Sequence, residues 1–201
     1  MKPRKVAETM LAGCLAMLLV APLVAQELAA TGTERAEQKE KKEVYSATGF
    51  STGSGANSLS LTIYIDDYST DAETHALAET LKSGGSDAVL KAMDKIKPEK
   101  GRVAVVGRTG NQVKLIRTRP LGNGKRRIFL VTDRPLSFLE LRQGTRSRDY
   151  EFGVIELVLD AKGKGEGVAL AAAKIWFDKK GELKIEPYGT QPVRLVNVYK
   201  F

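Results

Sequence analysis

Residues 102–132 read RVAVVGRTGNQVKLIRTRPLGNGKRRIFLVT, and the fold is decided here. Three runs rich in Val, Ile, Leu and Phe (102–106, 113–118 and 126–132) are separated by Thr109-Gly110-Asn111 and by Gly122-Asn123-Gly124. Branched and aromatic side chains suit a pleated surface, and Asn-Gly between apolar runs is a strong hairpin signal. Connections this short join antiparallel neighbours, because parallel ones need crossovers of about a dozen residues or more. The pattern continues downstream with runs at 152–159, 168–177, 183–186 and 193–199, divided by Lys162-Gly163-Lys164-Gly165 and Asp178-Lys179-Lys180-Gly181.

Upstream, Leu59, Leu61, Ile63 and Ile65 alternate with Ser60, Thr62 and Tyr64, the period of two that marks a half-buried strand. A helical stretch follows. Thr70-Asp71-Ala72-Glu73 has the form of a capping box, and Thr74, Leu77, Ala78 and Leu81 recur at helical spacing up to Gly84-Gly85. Ser86 opens a second apolar stripe of Val89, Leu90, Met93 and Ile96, stopped by Pro98. The expectation is an α+β, β-rich fold: one antiparallel β-sandwich or barrel of about seven to nine strands, with a short αα hairpin inserted after the first strand.

The chain opens differently. Lys2, Arg4 and Lys5 precede an uncharged, mostly apolar run over 10–25 that ends in small residues, the pattern of a secretory signal peptide. Cleavage is expected after Ala25, with Ala29 or Ala30 as the alternative. The run falls short of the roughly 20 residues that a permanent transmembrane helix needs, so no transmembrane anchor is expected after cleavage. Leu11-Ala12-Gly13-Cys14 spells a lipidation tetrapeptide, but here the hydrophobic stretch follows the cysteine instead of preceding it. Residues 26–57, charged at first and rich in Gly and Ser later, read as a flexible lead-in. The alternative for its second half is an irregular edge strand that docks Phe50 into the core. The expected organisation is therefore 1–25 signal peptide, 26–57 lead-in and 58–201 a single β-rich domain.

Among 201 residues, 32 Lys and Arg face 24 Asp and Glu, a formal charge of +8. The excess is local: residues 101–148 hold twelve basic and two acidic side chains, and ten of the thirteen arginines. Arginine recognises phosphate and carboxylate through two parallel hydrogen bonds, so an Arg-dominated block suggests an anion surface. The candidate residues are Arg117, Arg119, Lys125, Arg126, Arg127, Arg146 and Arg148. The competing reading is that these arginines pair with acids of other segments, among them Asp66, Asp67, Asp71, Asp149, Glu151 and Glu156. Nucleic acid is not expected as a partner, since Phe129 and Phe138 are the block's only aromatics for base stacking.

Other chemistries find less support. One Cys excludes an internal disulfide, and one Cys with one His cannot build the usual zinc sites. Neither a metal nor a cofactor is expected. The carboxylates of Asp66-Asp67-Tyr68-Ser69-Thr70-Asp71 suit calcium by number, and suit the capping of a helix N-terminus by position. Residues 160–167 have the rhythm of a calcium loop but place Lys162 and Lys164 where oxygen ligands belong, so a hairpin turn is expected. His75 reads as a surface histidine. Glu140, Asp149, Glu151 and Glu156 are the carboxylates a glycosidase-like hydrolase would draw on, although no spacing selects a pair.

From Tyr64 to Val198 the chain resembles exported bacterial proteins that carry no assigned activity. The matching strings are the 66–71 turn, Val131-Thr132-Asp133-Arg134-Pro135, Asp149-Tyr150-Glu151-Phe152-Gly153 and Pro192-Val193-Arg194-Leu195. The resemblance implies export and a single domain, and it carries over no functional residue. The functional expectation is a periplasmic or extracellular binding module that contacts an anionic polymer, a lipid head group or an acidic protein through the Arg-rich sheet face. The alternatives are a small carboxylate-dependent hydrolase and a passive structural subunit.

Overall fold

The computed structural model describes residues 42–50, 58–105, 109–136, 150–188 and 192–201. The expected signal peptide, Cys14, most of the lead-in, and Glu140, Arg146, Arg148 and Asp149 lie outside the described residues. Nine strands and one helix follow in the order β1 (Glu43–Phe50), β2 (Ser58–Ile65), α1 (Asp71–Asp94), β3 (Gly101–Val105), β4 (Asn111–Gly122), β5 (Lys125–Thr132), β6 (Phe152–Leu159), β7 (Lys164–Phe177), β8 (Leu183–Pro187) and β9 (Val193–Lys200).

Eight of the strands close a barrel. Around its wall they run β1-β2-β3-β4-β5-β6-β7-β9, every neighbour antiparallel, and β9 returns to β1 through pairs such as Ser46↔Tyr199 and Gly49↔Leu195. The 14-residue β7 makes the ninth strand possible. Its first half borders β9 and its second half borders β8, while β6 occupies the opposite edge. Closure gives each of the eight strands of the wall a neighbour on both sides, which removes most of the open edge that could recruit another chain. The β4–β5 turn shows local chemistry setting this register: Asn123 (φ 51°) and Gly124 (φ 69°) form a two-residue loop between Gly122 and Lys125. Positive φ at both central residues matches the twist of the flanking strands, and Asn-Gly tolerates it best.

Side-chain alternation builds two apolar layers from the same strands. Inward residues from every barrel strand, including Tyr45, Ile63, Val103, Ile116, Ile128 and Leu157, fill the interior. An eight-stranded barrel is just wide enough for side chains to fill it, and here the centre is a packed core. On β5 and β6 several outward residues are apolar too, and Phe129, Val131, Phe152 and Val154 join Leu170 and Ile175 of β7 under the helix. Leu77, Val89 and Met93 are the residues α1 buries against them. Burial of a side chain this size contributes about 1.5–3 kcal/mol, enough to hold a helix that is short of intrinsic stability. Elsewhere the wall shows Ser46, Thr48, Ser60, Thr62 and Arg102 outward, the reverse of a barrel that faces lipid with its wall.

Three features depart from the sequence reading. Among the described residues strands already begin at Glu43, upstream of residue 58: the expected lead-in contributes β1, paired along its whole length with β2. Its inward residues are Glu43, Tyr45, Ala47 and Gly49, so the period of two is present but carried by one acid and two small residues. They are small because the barrel is tight there; a Cβ on Gly49 would stand 3.2 Å from a Val193 methyl. Phe50, proposed as a core anchor in the edge-strand alternative, is exposed at the end of β1. The two expected helices run on as one kinked element, broken at Gly85 (φ 68°), within the glycine pair at which the sequence ends the first of them. The capping box is as expected, with the Thr70 Oγ1 accepting from the Glu73 amide at 3.1 Å and the Glu73 carboxylate accepting from the Thr70 amide at 2.7 Å.

Candidate functional site at the basic end of the barrel

The arginine block does not come together as one surface, because alternation separates its members. Arg126 points inward and Arg127 outward from the same strand. Arg117, on the outer face of β4, donates to the Ser69 carbonyl at 2.7 Å and to the Asp71 carboxylate. It thereby ties the start of α1 to the wall, where the Ser69 amide also donates to the Ile116 carbonyl at 2.8 Å. Arg127 brings its Nε to 2.9 Å from Glu156 on β6. Arg119 stands directly across from Arg127 in the β4–β5 register and is exposed. Lys125 is exposed at the hairpin tip, and Arg146 and Arg148 lie outside the described residues. For Arg117, Arg126 and Arg127 the sequence alternative, pairing with acids of other segments, is what the structure shows.

Arg126 belongs to a polar cluster that closes one end of the barrel. At its centre is Glu43, the first residue of β1. The Tyr45 hydroxyl donates to it at 2.8 Å, the Tyr68 hydroxyl at 2.7 Å, the Lys200 ammonium at 2.6 Å and the Arg126 guanidinium at 3.0 Å to both oxygens. Arg126 also donates to the Tyr45 hydroxyl. Burial alone would push the Glu43 carboxyl up, but donors from Lys200, Tyr68, Tyr45 and Arg126 outweigh it and hold the carboxyl down at about 2. The two phenols are pushed up, first by burial and then by the carboxylate that accepts their hydrogen bonds, so both stay neutral donors. The cluster therefore holds two cations on one anion. Sequence reading named Arg126 alone among these residues. Glu43 and Lys200 are 157 positions apart, and no local pattern joins them.

Around this plug the barrel rim carries lysines. The β6–β7 turn is built on Asp160, whose Oδ1 accepts from the amides of Lys162 at 2.8 Å and Lys164 at 2.9 Å. The same device recurs in the β7–β8 turn, where Asp178 accepts from the amides of Lys180 and Glu182. The Lys162 and Lys164 side chains are exposed; the Asp160 charge acts on both, and among the described residues neither forms a salt bridge. Lys125 on the neighbouring turn is placed alike. The two tips touch, for a Cβ on Gly124 would stand 3.3 Å from that of Ala161. The end of β9 completes the rim, with the Lys200 amide donating to the Gly163 carbonyl at 3.0 Å.

Near Tyr68 the carboxylates of the 66–71 turn face three different cations: Asp66 meets Lys42 at 3.1 Å, Asp67 meets Lys100 at 2.7 Å and Asp71 meets Arg117. Lys100 also reaches Glu73 at 3.0 Å, so this turn fastens the helix start to β3 and β4. His75 is exposed on α1. Of the carboxylates weighed for hydrolysis, Glu156 is buried on the outer wall, and its carboxyl is raised by burial that the Arg127 charge offsets only in part. No protein-family profile, curated protein or solved structure matches the chain.

Proposed function

We propose that the chain is an exported interaction module whose working surface is the basic end of the barrel, where it holds an anionic envelope component. One observation carries this reading: Lys125, Lys162 and Lys164 project exposed from two touching turns and form no salt bridge among the described residues, beside a plug in which Arg126 and Lys200 exceed the charge of Glu43. The packed interior supports it from the other side, since a core filled by side chains such as Tyr45 and Ile116 turns any binding outward. The expected anion contact thus moves from the sheet face to the hairpin tips, with Lys125 retained from the block.

The test is retention on heparin as a function of salt. Affinity should fall steeply as salt rises, because binding releases counterions from the polyanion. The triple variant Lys125→Glu/Lys162→Glu/Lys164→Glu should lose on the order of tenfold or more in affinity. Arg127→Ala, on the outer wall, should change it less than about twofold. Unchanged retention of the triple variant would overturn the reading.

A further inference from the structure

Among the described residues four large hydrophobic side chains are exposed, and three of them share the end of the barrel that carries the lysines. Leu121 (40% exposed) sits at the β4–β5 turn beside Lys125, and Tyr199 (47%) and Phe201 (69%) stand at the end of β9 with ring centroids 6.0 Å apart. Tyr199 lies directly across from Lys164 in the β7–β9 register. The Phe201 amide donates to the Val44 carbonyl at 3.0 Å, which pins this aromatic pair to the barrel end. The fourth, Phe50, is at the opposite end.

A soluble polyanion needs the cations and has no use for the apolar tips. A bilayer surface uses both. Leucine and aromatic tips enter the boundary between head groups and acyl chains, while flanking lysines extend to the phosphates. Resting on the anion-binding reading above, we propose that the anionic partner is a lipid bilayer surface, onto which the barrel docks end-on through Leu121, Tyr199 and Phe201 flanked by Lys125, Lys162 and Lys164. The rigidity of the surface supports this: the tips are tight turns and a paired strand end, already ordered before contact, so docking requires little further ordering.

The test is partitioning of the mature chain, from Gln26 onward, onto vesicles of phosphatidylglycerol and phosphatidylcholine in equal parts, against vesicles of phosphatidylcholine alone, with heparin retention measured in parallel. Binding is expected on the mixed vesicles, weakening with salt. The lysine triple variant should lose on the order of a hundredfold, at about 1 kcal/mol for each lysine near the surface. The variant Leu121→Ser/Tyr199→Ser/Phe201→Ser should lose at least about tenfold on vesicles while heparin retention stays within about twofold. As a readout at the tip itself, Leu121→Trp should shift its emission to the blue on mixed vesicles and leave it unmoved on phosphatidylcholine, with the wild-type Trp176 as baseline. Heparin retention without vesicle binding, undiminished vesicle binding by the Ser variant, or an unshifted Leu121→Trp spectrum would overturn the bilayer proposal and leave the anion reading standing. Loss of both heparin and vesicle binding in the wild-type chain would overturn both.

Discussion

Two carboxylates in this molecule are each 9% exposed, each sits against an arginine of β5, and their chemistry diverges. Glu43 lies at the barrel end, where two cations and two phenols from four segments converge on it, and its carboxyl falls to about 2. Glu156 lies on the outer wall, where Arg127 is the opposing charge and one carboxylate oxygen has no hydrogen-bond partner, and its carboxyl rises. Burial resists the charge at both. The number of donors within reach decides whether the charge is held or resisted.

The largest expected effect follows from removing the better-held charge. Glu43→Gln leaves Arg126 and Lys200 facing each other over a neutral amide, and should lower the unfolding free energy by roughly 3 kcal/mol, read from urea denaturation at pH 7. Because the folded carboxyl titrates at about 2 and the ordinary one at 4.5, this contribution is present above about pH 4.5 and disappears as the pH falls toward 2. The wild-type and Glu43→Gln stabilities should therefore converge in acid. A gap at pH 2.5 as large as that at pH 7 would break the comparison by showing that shape, not charge, accounts for the loss.

Tyr68→Phe removes one donor from the same site and should cost about 1 kcal/mol, with the Glu43 titration moving upward. A silent Tyr68→Phe would mean that the two cations and Tyr45 suffice to hold Glu43. The smallest effect is expected on the outer wall. Glu156 has its carboxyl raised in the fold, so the native state takes up its proton more readily than the unfolded chain; the charge weighs against stability above about pH 4.5, and that penalty fades in acid. Glu156→Gln should change stability by less than about 1 kcal/mol, in the stabilising direction, in the same urea assay. A loss as large as that of Glu43→Gln would erase the distinction between the two sites.

Most of the fold was legible as local pattern. The boundaries of β5 and β6 follow from Val, Ile, Leu and Phe runs ended by turn residues, and the capping box at Thr70 marks the helix start to the residue. β1 was missed because its inward face is Glu43, Tyr45, Ala47 and Gly49, and hydrophobicity is silent where the barrel requires small side chains or a polar plug. The site was legible only in part. The concentration of arginine in 101–148 is a property of composition, but which arginines stay available is a matter of facing. On β5, Arg126 enters the barrel and Arg127 leaves it, while Lys125 at the turn belongs to neither face and remains in solvent.

Sequence by itself determined what neighbours in the chain can enforce: the period of two, the Asn123-Gly124 hairpin, the Asp160 turn and the capped helix, each stabilised within a few residues. Tertiary structure decided what depends on partners far along the chain. The return of β9 to β1 joins Tyr199 to Ser46, the plug joins Lys200 to Glu43, and the helix finds an apolar wall assembled from strands that follow it. Whether a charged side chain ends as a structural tie or as a free cation on the rim is settled only when the barrel closes, because closure alone places it beside a carboxylate or beside water.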